Sequence, residues 1–201
     1  MALTPKLGQE LGIVTDGSNN FTKLRYAMAH LSGFKGFGIW ADGADMLVRS
    51  DLAELWNLRE AWYGVQCVKH EYEPTPTKYI GTELESPNPA YPRKNWSSLF
   101  LMDCGHYMNR VLTPEFIAKQ SGQYLHRFSW LPDERIGELP KEWNYIVSEP
   151  NQAATAKIAH YSLGIPGFQR YSDAEYAEEW KKAMRDAMRG MQYQLTEHSE
   201  R

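Results

Sequence analysis

The sequence predicts an α/β fold, a mixed sheet flanked by helices, and three observations carry that expectation. Short apolar runs of strand length recur along the chain, segments with helical apolar spacing separate them, and capping and turn residues punctuate both. Over 201 residues, 42% apolar and 23% charged side chains are ordinary globular proportions, and a chain this long buries a core without staples. We therefore expect one domain over 1–201, with an N-terminal arm at 1–20, a long Pro-rich loop at 71–93 and a frayed tail at 196–201.

The elements follow in order. The cluster DGSNN (16–20) reads as a loop. Phe21, Leu24, Ala27, Met28 and Leu31 fall at helical spacing, with Gly33 as the stop. GFGIWA (36–41) is a buried strand running into Asp-Gly. Ser50 caps a helix over SDLAELWNL, with Asp51 in the first turn where the helix dipole favours an anion. WYGVQCVKH (62–70) is aromatic and β-branched, hence a second strand. Residues 71–93 carry five of the eleven prolines and read as a functional or mobile loop shaping the acceptor side of a site. SSLFLMDC (97–104) is a third strand, Thr113-Pro114 opens a helix, and AKIAHYS (156–162) is a fourth strand stopped by Gly164 and Pro166. Ser172 and Glu175 make a capping box for a C-terminal helix with the stripe Tyr176, Ala177, Trp180, Ala183, Met184, Ala187, Met188, Met191. That Met-rich stripe would dock on its own core or on a second copy, making a homo-oligomer an open expectation.

Composition narrows the function. A net charge of −3 argues against a general grip on nucleic acid. No apolar run approaches 18 residues, and MALTPKLGQE lacks a basic and apolar leader, so we expect no membrane span and a cytoplasmic protein. Cys67 and Cys104 make neither a metal spacing nor a disulfide framework and read as buried thiols. The 13% aromatic content suits a sugar or nucleotide site and equally a plain core.

Four strand ends hold residues with chemistry. Asp42-Gly43-Ala44-Asp45 can present two carboxylates to one hard cation, or stand as a solvated surface turn. His160 lies in an apolar strand, as a metal ligand or as a hydrogen-bonded core residue. Asp133-Glu134 can act on hydroxyls as base or simply face water. Arg93-Lys94-Asn95 can clamp phosphate. No GxSxG, Walker A, GxGxxG or HExxH motif competes with these.

Five blocks in order resemble GT-A-type nucleotide-sugar transferases, similar to glycosyltransferase family 8 and its bacterial and phage relatives. FTKLRYAMAHL resembles the helix whose arginine faces the donor. IWADGADMLVRSDLAELW resembles the strand ending in an Asp-x-Asp element, and YPRKNWSSLFLMDC resembles the loop and strand carrying an Asn under the donor sugar. FSWLPDERIGELPKEWN resembles the acidic segment that follows, and AKIAHYSLGIPGF resembles the late His-Tyr-x-x-Gly-x-Pro block.

The resemblance implies a GT-A-like domain holding Mn2+ (or Mg2+) through Asp42, Asp45 and His160, with a nucleoside-diphosphate sugar as donor. It further implies donor contacts from Arg25, Asp42, Lys94, Tyr161 and Gly164, catalytic roles for Asp133 and Asn95, and a glycan or other hydroxyl-bearing acceptor. A retaining, hexosyltransferase-like outcome is implied by kinship. Two features depart from the pattern. The acidic pair is one residue wider than Asp-x-Asp, so that Gly43 stands where the first aspartate belongs in the simple register. Only about twenty residues precede Phe21, so part of the N-terminal nucleotide-binding unit is expected to be missing. These departures keep an alternative in view, a non-catalytic GT-A-like scaffold binding a glycan or protein. A third reading is a hydrolase built on Asp133 and Glu134.

Overall fold

Alternation along one strand organises the molecule. In the computed structural model, which describes residues 5–13, 22–150 and 153–199, the strand Leu99–Asp103 is central and buried on both faces. Phe100 and Met102 point into one apolar cluster, while Leu99 and Leu101 point into another. A strand covered on both sides reads as a continuous apolar run, which is how SSLFLMDC reads in the sequence.

Nine strands are present among the described residues: β1 Phe37–Ala41, β2 Met46–Val48, β3 Val65–Cys67, β4 Thr77–Lys78, β5 Ser86–Pro87, β6 Leu99–Asp103, β7 Ile136–Glu138, β8 Tyr145–Ile146 and β9 Ile158–His160. A four-stranded sheet runs in the order β1-β6-β3-β7, antiparallel except for the β3–β7 pair. A second sheet runs β2-β9-β8, antiparallel at β2–β9 and parallel at β8–β9. The helices are α1 Pro5–Glu10, α2 Met28–Leu31, α3 Leu52–Trp56, α4 Pro114–Lys119, α5 Gly122–His126 and α6 Ala177–Ser199. The expected mixed α/β architecture is thus observed, built from two main sheets rather than one.

Three apolar clusters stack these pieces into layers. Outside the larger sheet, Tyr26, Ala27, Phe128, Leu125 and Ile117 pack on Phe100 and Met102, with Tyr26 stacked on Phe100 at 6.2 Å. Between the sheets, Leu99, Leu101, Val68, Leu55 and Trp143 meet Ile158 of β9. Beyond the smaller sheet, Leu47, Ala159 and Tyr161 meet Trp180 of α6. Cys67 and Cys104 are buried free thiols, both pushed up in pKa by burial.

Local signals account for most boundaries. Thr113 accepts from the Phe116 N–H with Pro114 at the first helical position, as expected. Gly33, at φ +65, ends the Leu24–Leu31 segment, whose first turn is 3₁₀. The proposed start at Phe21 and the DGSNN loop lie outside the described residues.

Several expectations are corrected. Asp51, not Ser50, caps α3, because its carboxylate accepts from the Ala53 N–H. The 62–70 strand shrinks to Val65–Cys67, and the N-terminal arm contains α1 together with a core residue, Ile13. Ser172 donates to the Gln169 carbonyl instead of capping α6, which starts at Ala177 after Tyr176 turns through φ +61. Of the α6 stripe, Ala177 and Trp180 pack in, while Met188 is 54% exposed. Past Leu195, where loose chain is expected, the backbone stays helical to Ser199.

Truncation should therefore separate core from surface. Leu101→Ala is expected to cost about 2–5 kcal/mol in urea unfolding, and Met188→Ala to stay within about 0.5 kcal/mol of the parent chain.

Candidate metal and anion site

The hinge between β1 and β2 is an acidic turn. Met46 N–H donates to the Gly43 carbonyl at 3.0 Å, and this closure turns Asp42 and Asp45 toward the same place. Gly43 is not what allows it: no positive φ occurs there, and a Cβ would meet open space. The wider spacing is accommodated by the turn itself. On the far side of the turn, Trp180 Nε1 donates to the Ala44 carbonyl at 2.8 Å, so α6 pins the loop to the smaller sheet.

β9 supplies the third group. The β2–β9 register sets Met46 opposite His160, and Tyr161 N–H donates to the Asp45 carbonyl at 2.8 Å. One ligating atom from each of Asp42, Asp45 and His160 then lies within 4.8 Å of the others, with His160 Nε2 3.6 Å from Asp45 Oδ2. Burial works to raise the Asp45 carboxyl. The adjacent His160 imidazole, a backbone N–H and the Arg25 charge outweigh it, holding the group below the usual carboxylate value.

Asp42 has its own support. Its Oδ1 accepts from Trp40 Nε1 and lies against Arg25, each at 2.9 Å. Arg25 is buried, donates also to the Ser97 carbonyl at 2.7 Å, and lies over the Trp40 ring at 5.2 Å. The arginine singled out in the sequence is therefore a wall of the site whose first partner is Asp42.

These residues open onto a cavity of about 490 Å³. The Pro-rich loop forms its opposite wall, with Lys78, Tyr79, Asn88 and Tyr91 lining it, followed by Lys94 and Asn95. The loop is tied down. Tyr79 N–H donates to the Leu163 carbonyl at 2.6 Å, Ile80 N–H to the Tyr171 hydroxyl at 2.7 Å, and Thr75 N–H to Glu149 at 3.0 Å. Strained backbone gathers here, since Tyr79, Arg93 and Asn95 all sit at φ between 55 and 61 without being glycine.

Three cations, Arg25, Lys78 and Lys94, thus face two carboxylates. Burial and the Lys78 charge lower Lys94 to about 8. Its ammonium donates to the Pro89 carbonyl at 2.9 Å. Ser162 Oγ and Arg25 Nε, both of residues lining the cavity, are buried and have no hydrogen-bond partner.

Six sequence candidates line the cavity: Arg25, Asp42, Asp45, Lys94, Asn95 and His160. The structure does not bring the others there. Asp133 is a correction: its carboxylate is 86% exposed and paired with Arg93, whose other nitrogen donates to the Arg127 carbonyl. Glu134 is exposed too, and neither carboxylate of the hydrolase pair lines this cavity. Tyr161 is a core side chain packed near Trp180, with its hydroxyl donating to the Glu175 carbonyl at 3.0 Å. Gly164 acts at one remove, because a Cβ there would overlap the Tyr171 ring that holds Ile80.

Sequence reasoning passed over Lys78, Tyr91, Ser97, His126 and Asn144. His126 lines the cavity, and burial plus the Arg25 charge lower it to about 4, leaving a neutral ring 2.6 Å from Ser97 Oγ. No local pattern marks these positions. Lys78 is the one lysine between residues 71 and 93, and nothing beside it in the sequence marks it.

No protein-family model matches the chain. Among curated proteins, Protein CDI of Arabidopsis thaliana is 37% identical over 174 residues, covering 84% of this chain. The chain spans 66% of that relative's length, just under two thirds. Among solved structures, the apo form of the bifunctional glycosyltransferase WbbM superposes with a TM-score of 0.45 at 15% identity, over 82% of this chain and 37% of that one. No helix among the described residues is long and apolar enough to cross a membrane.

The Gly164 contact gives a direct test of the wall. Gly164→Ala should displace Tyr171, cost about 1–3 kcal/mol, and speed amide exchange at Ile80, while Gly43→Ala leaves stability unchanged. Hydrogen exchange on both variants checks this.

Proposed function

We propose that the chain is a divalent-metal-dependent transferase that takes a sugar from a nucleoside diphosphate to a hydroxyl acceptor. One observation carries this reading: Asp42, Asp45 and His160, from two segments more than a hundred residues apart, converge at the edge of a cavity lined by Arg25, Lys78 and Lys94. Two carboxylate oxygens and one imidazole nitrogen suit a cation that accepts both, Mn2+ in particular, or Mg2+ with a larger share of water. The buried, unpartnered Ser162 hydroxyl and Arg25 Nε–H of cavity-lining residues further favour a ligand in this space. The ordered sequence blocks that resemble glycosyltransferase family 8 supply the reaction class.

The chain's own groups have distinct tasks in this reading. Asp42, Asp45 and His160 would hold the cation, which when bound screens charge gathering on the leaving diphosphate. Lys78 and Lys94 would meet the phosphate oxygens from the loop wall. Asn95, whose amide donates to the Tyr72 hydroxyl at 2.7 Å, would sit under the sugar. Asp133 has no part in it.

Thermal unfolding with a panel of nucleoside diphosphates, each with and without Mn2+, tests the proposal. A pair held at about one hundred times its Kd should add about 2.7 kcal/mol, a Tm rise of roughly 5–10 °C for a chain of this size. Asp45→Asn should erase that rise while leaving the unliganded Tm close to the parent. No rise with any pair, from well-folded protein, would point instead to a non-catalytic scaffold that binds a glycan or a protein.

The loop lysine adds a pH signature. With Lys94 lowered to about 8, its charge is complete below that pH and is lost above it, so diphosphate affinity should fall as pH rises through 8. Lys94→Arg, whose guanidinium stays charged, should flatten that fall in calorimetric titrations between pH 7 and about 9.5.

A further inference from the structure

Asn144 ends the 3₁₀ turn Lys141–Asn144, directly before β8, and is 0% exposed. Its amide nitrogen donates to the Asn95 carbonyl at 3.1 Å and to Ser98 Oγ at 2.9 Å. Its amide oxygen faces His160 Nδ1 at 3.1 Å. His160 is itself buried, at 3% exposed.

The partners permit one orientation of the Asn144 amide. A backbone carbonyl only accepts, so the side of the Asn144 amide facing Asn95 is the NH2 group. Ser98 Oγ already donates its hydrogen to the same Asn95 carbonyl at 2.7 Å, which leaves a lone pair for Asn144. Flipping the amide would set oxygen against oxygen at Asn95 and NH2 against a ring nitrogen at His160. The unflipped amide oxygen requires a donor, and His160 Nδ1 is the group in front of it. Nδ1 therefore carries a hydrogen, and Nε2 is the nitrogen that faces Asp45, at 3.6 Å.

We infer that Asn144 is a positioning residue: by accepting from His160 Nδ1–H it fixes the ring so that Nε2, the nitrogen left for a cation, is turned to the space shared with Asp42 and Asp45. The consequence for metal affinity rests on the reading given above, while the hydrogen-bond geometry stands without it. Partners of this kind fix ring orientation and raise ligand basicity, and their loss weakens metal binding about 10–100-fold. The chain from Asn95 through Asn144 to His160 also joins the loop wall of the cavity to its acidic wall.

The test is tautomer-resolved NMR on the full chain with 15N-labelled histidine, without metal, at alkaline pH. His160 is expected to show a protonated Nδ1; an unprotonated Nδ1 overturns the inference whether or not metal binds. Asn144→Asp retains an acceptor for Nδ1–H and loses the two donated bonds, so it should keep the tautomer while lowering Tm. Asn144→Leu should populate both tautomers and weaken Mn2+ binding by 10–100-fold in calorimetry. A folded Asn144→Leu chain with the parent tautomer and parent Mn2+ affinity would sink the idea. If that variant does not fold, the parent spectrum decides alone. The expected tautomer in a parent chain that binds no Mn2+ would leave the Asn144 role standing and remove the metal-dependent function.

Discussion

The pairing of β2 with β9 is the constraint on which the rest depends. It joins residues 46–48 to 158–160 and thereby sets His160 beside a turn that the chain left more than a hundred residues earlier. Side chains alternate along a strand, so a slip of one residue would send His160 to the opposite face and dissolve the cluster. Three independent contacts hold the register. Arg49, just past β2, forms a two-pronged pair with Glu179 at 2.8 and 3.1 Å and donates to the Ala156 carbonyl at 2.6 Å. Trp180 holds the Ala44 carbonyl, and the parallel partner β8 bonds to the other edge of β9. The first turns of α6 are buried for this purpose, whereas Ala187 and Met188 further along are exposed.

A polar cavity at the junction of two sheets carries a cost that the structure meets locally. Buried amides, hydroxyls and charges destabilise unless each finds a partner. Asn144, Ser98, Asn95 and His160 bond to one another, and Arg25 and Trp40 both bond to Asp42, with Arg25 also on the Ser97 carbonyl, while Arg25 Nε and Ser162 Oγ stay unpartnered. The strained backbone at Tyr79 and Asn95 lies on the same cavity. Strain of this kind persists only where surrounding contacts over-determine it, and here the loop is fixed through Leu163, Tyr171 and Glu149. The 23-residue Pro-rich stretch is thus a wall tied to the body of the fold and built around the short β4–β5 ladder.

Much of the framework was legible because it rests on local rules. GFGIWA, SSLFLMDC and AKIAHYS became β1, β6 and β9, and Thr113-Pro114 opened α4, each through periodicity or capping. The acidic turn and His160 stood out by residue type, and the register brought them together. The short strands Ile136–Glu138 and Tyr145–Ile146 hold too few residues to show a period, so they were invisible. Asp133 misled because an acidic residue after an aromatic run looks alike whether it lines a cavity or pairs with Arg93 at the surface. Asn144 went unseen for the opposite reason: its importance lies in two contacts about fifty residues away and one sixteen residues away, none of which its neighbours in sequence reveal.

The three candidate ligands share one design principle despite their different chemistry. Asp42 is oriented by Trp40 and Arg25, from β1 and from the 3₁₀ turn that packs outside the larger sheet. Asp45 is oriented through its backbone by Tyr161 and, one residue back, by Trp180 of α6. His160 is oriented by Asn144 from between the sheets. Each support comes from a different layer of the fold, so the cluster exists only when all the layers are assembled. A ligand bound there would have little side-chain ordering left to supply, because each group already has its support from a different layer.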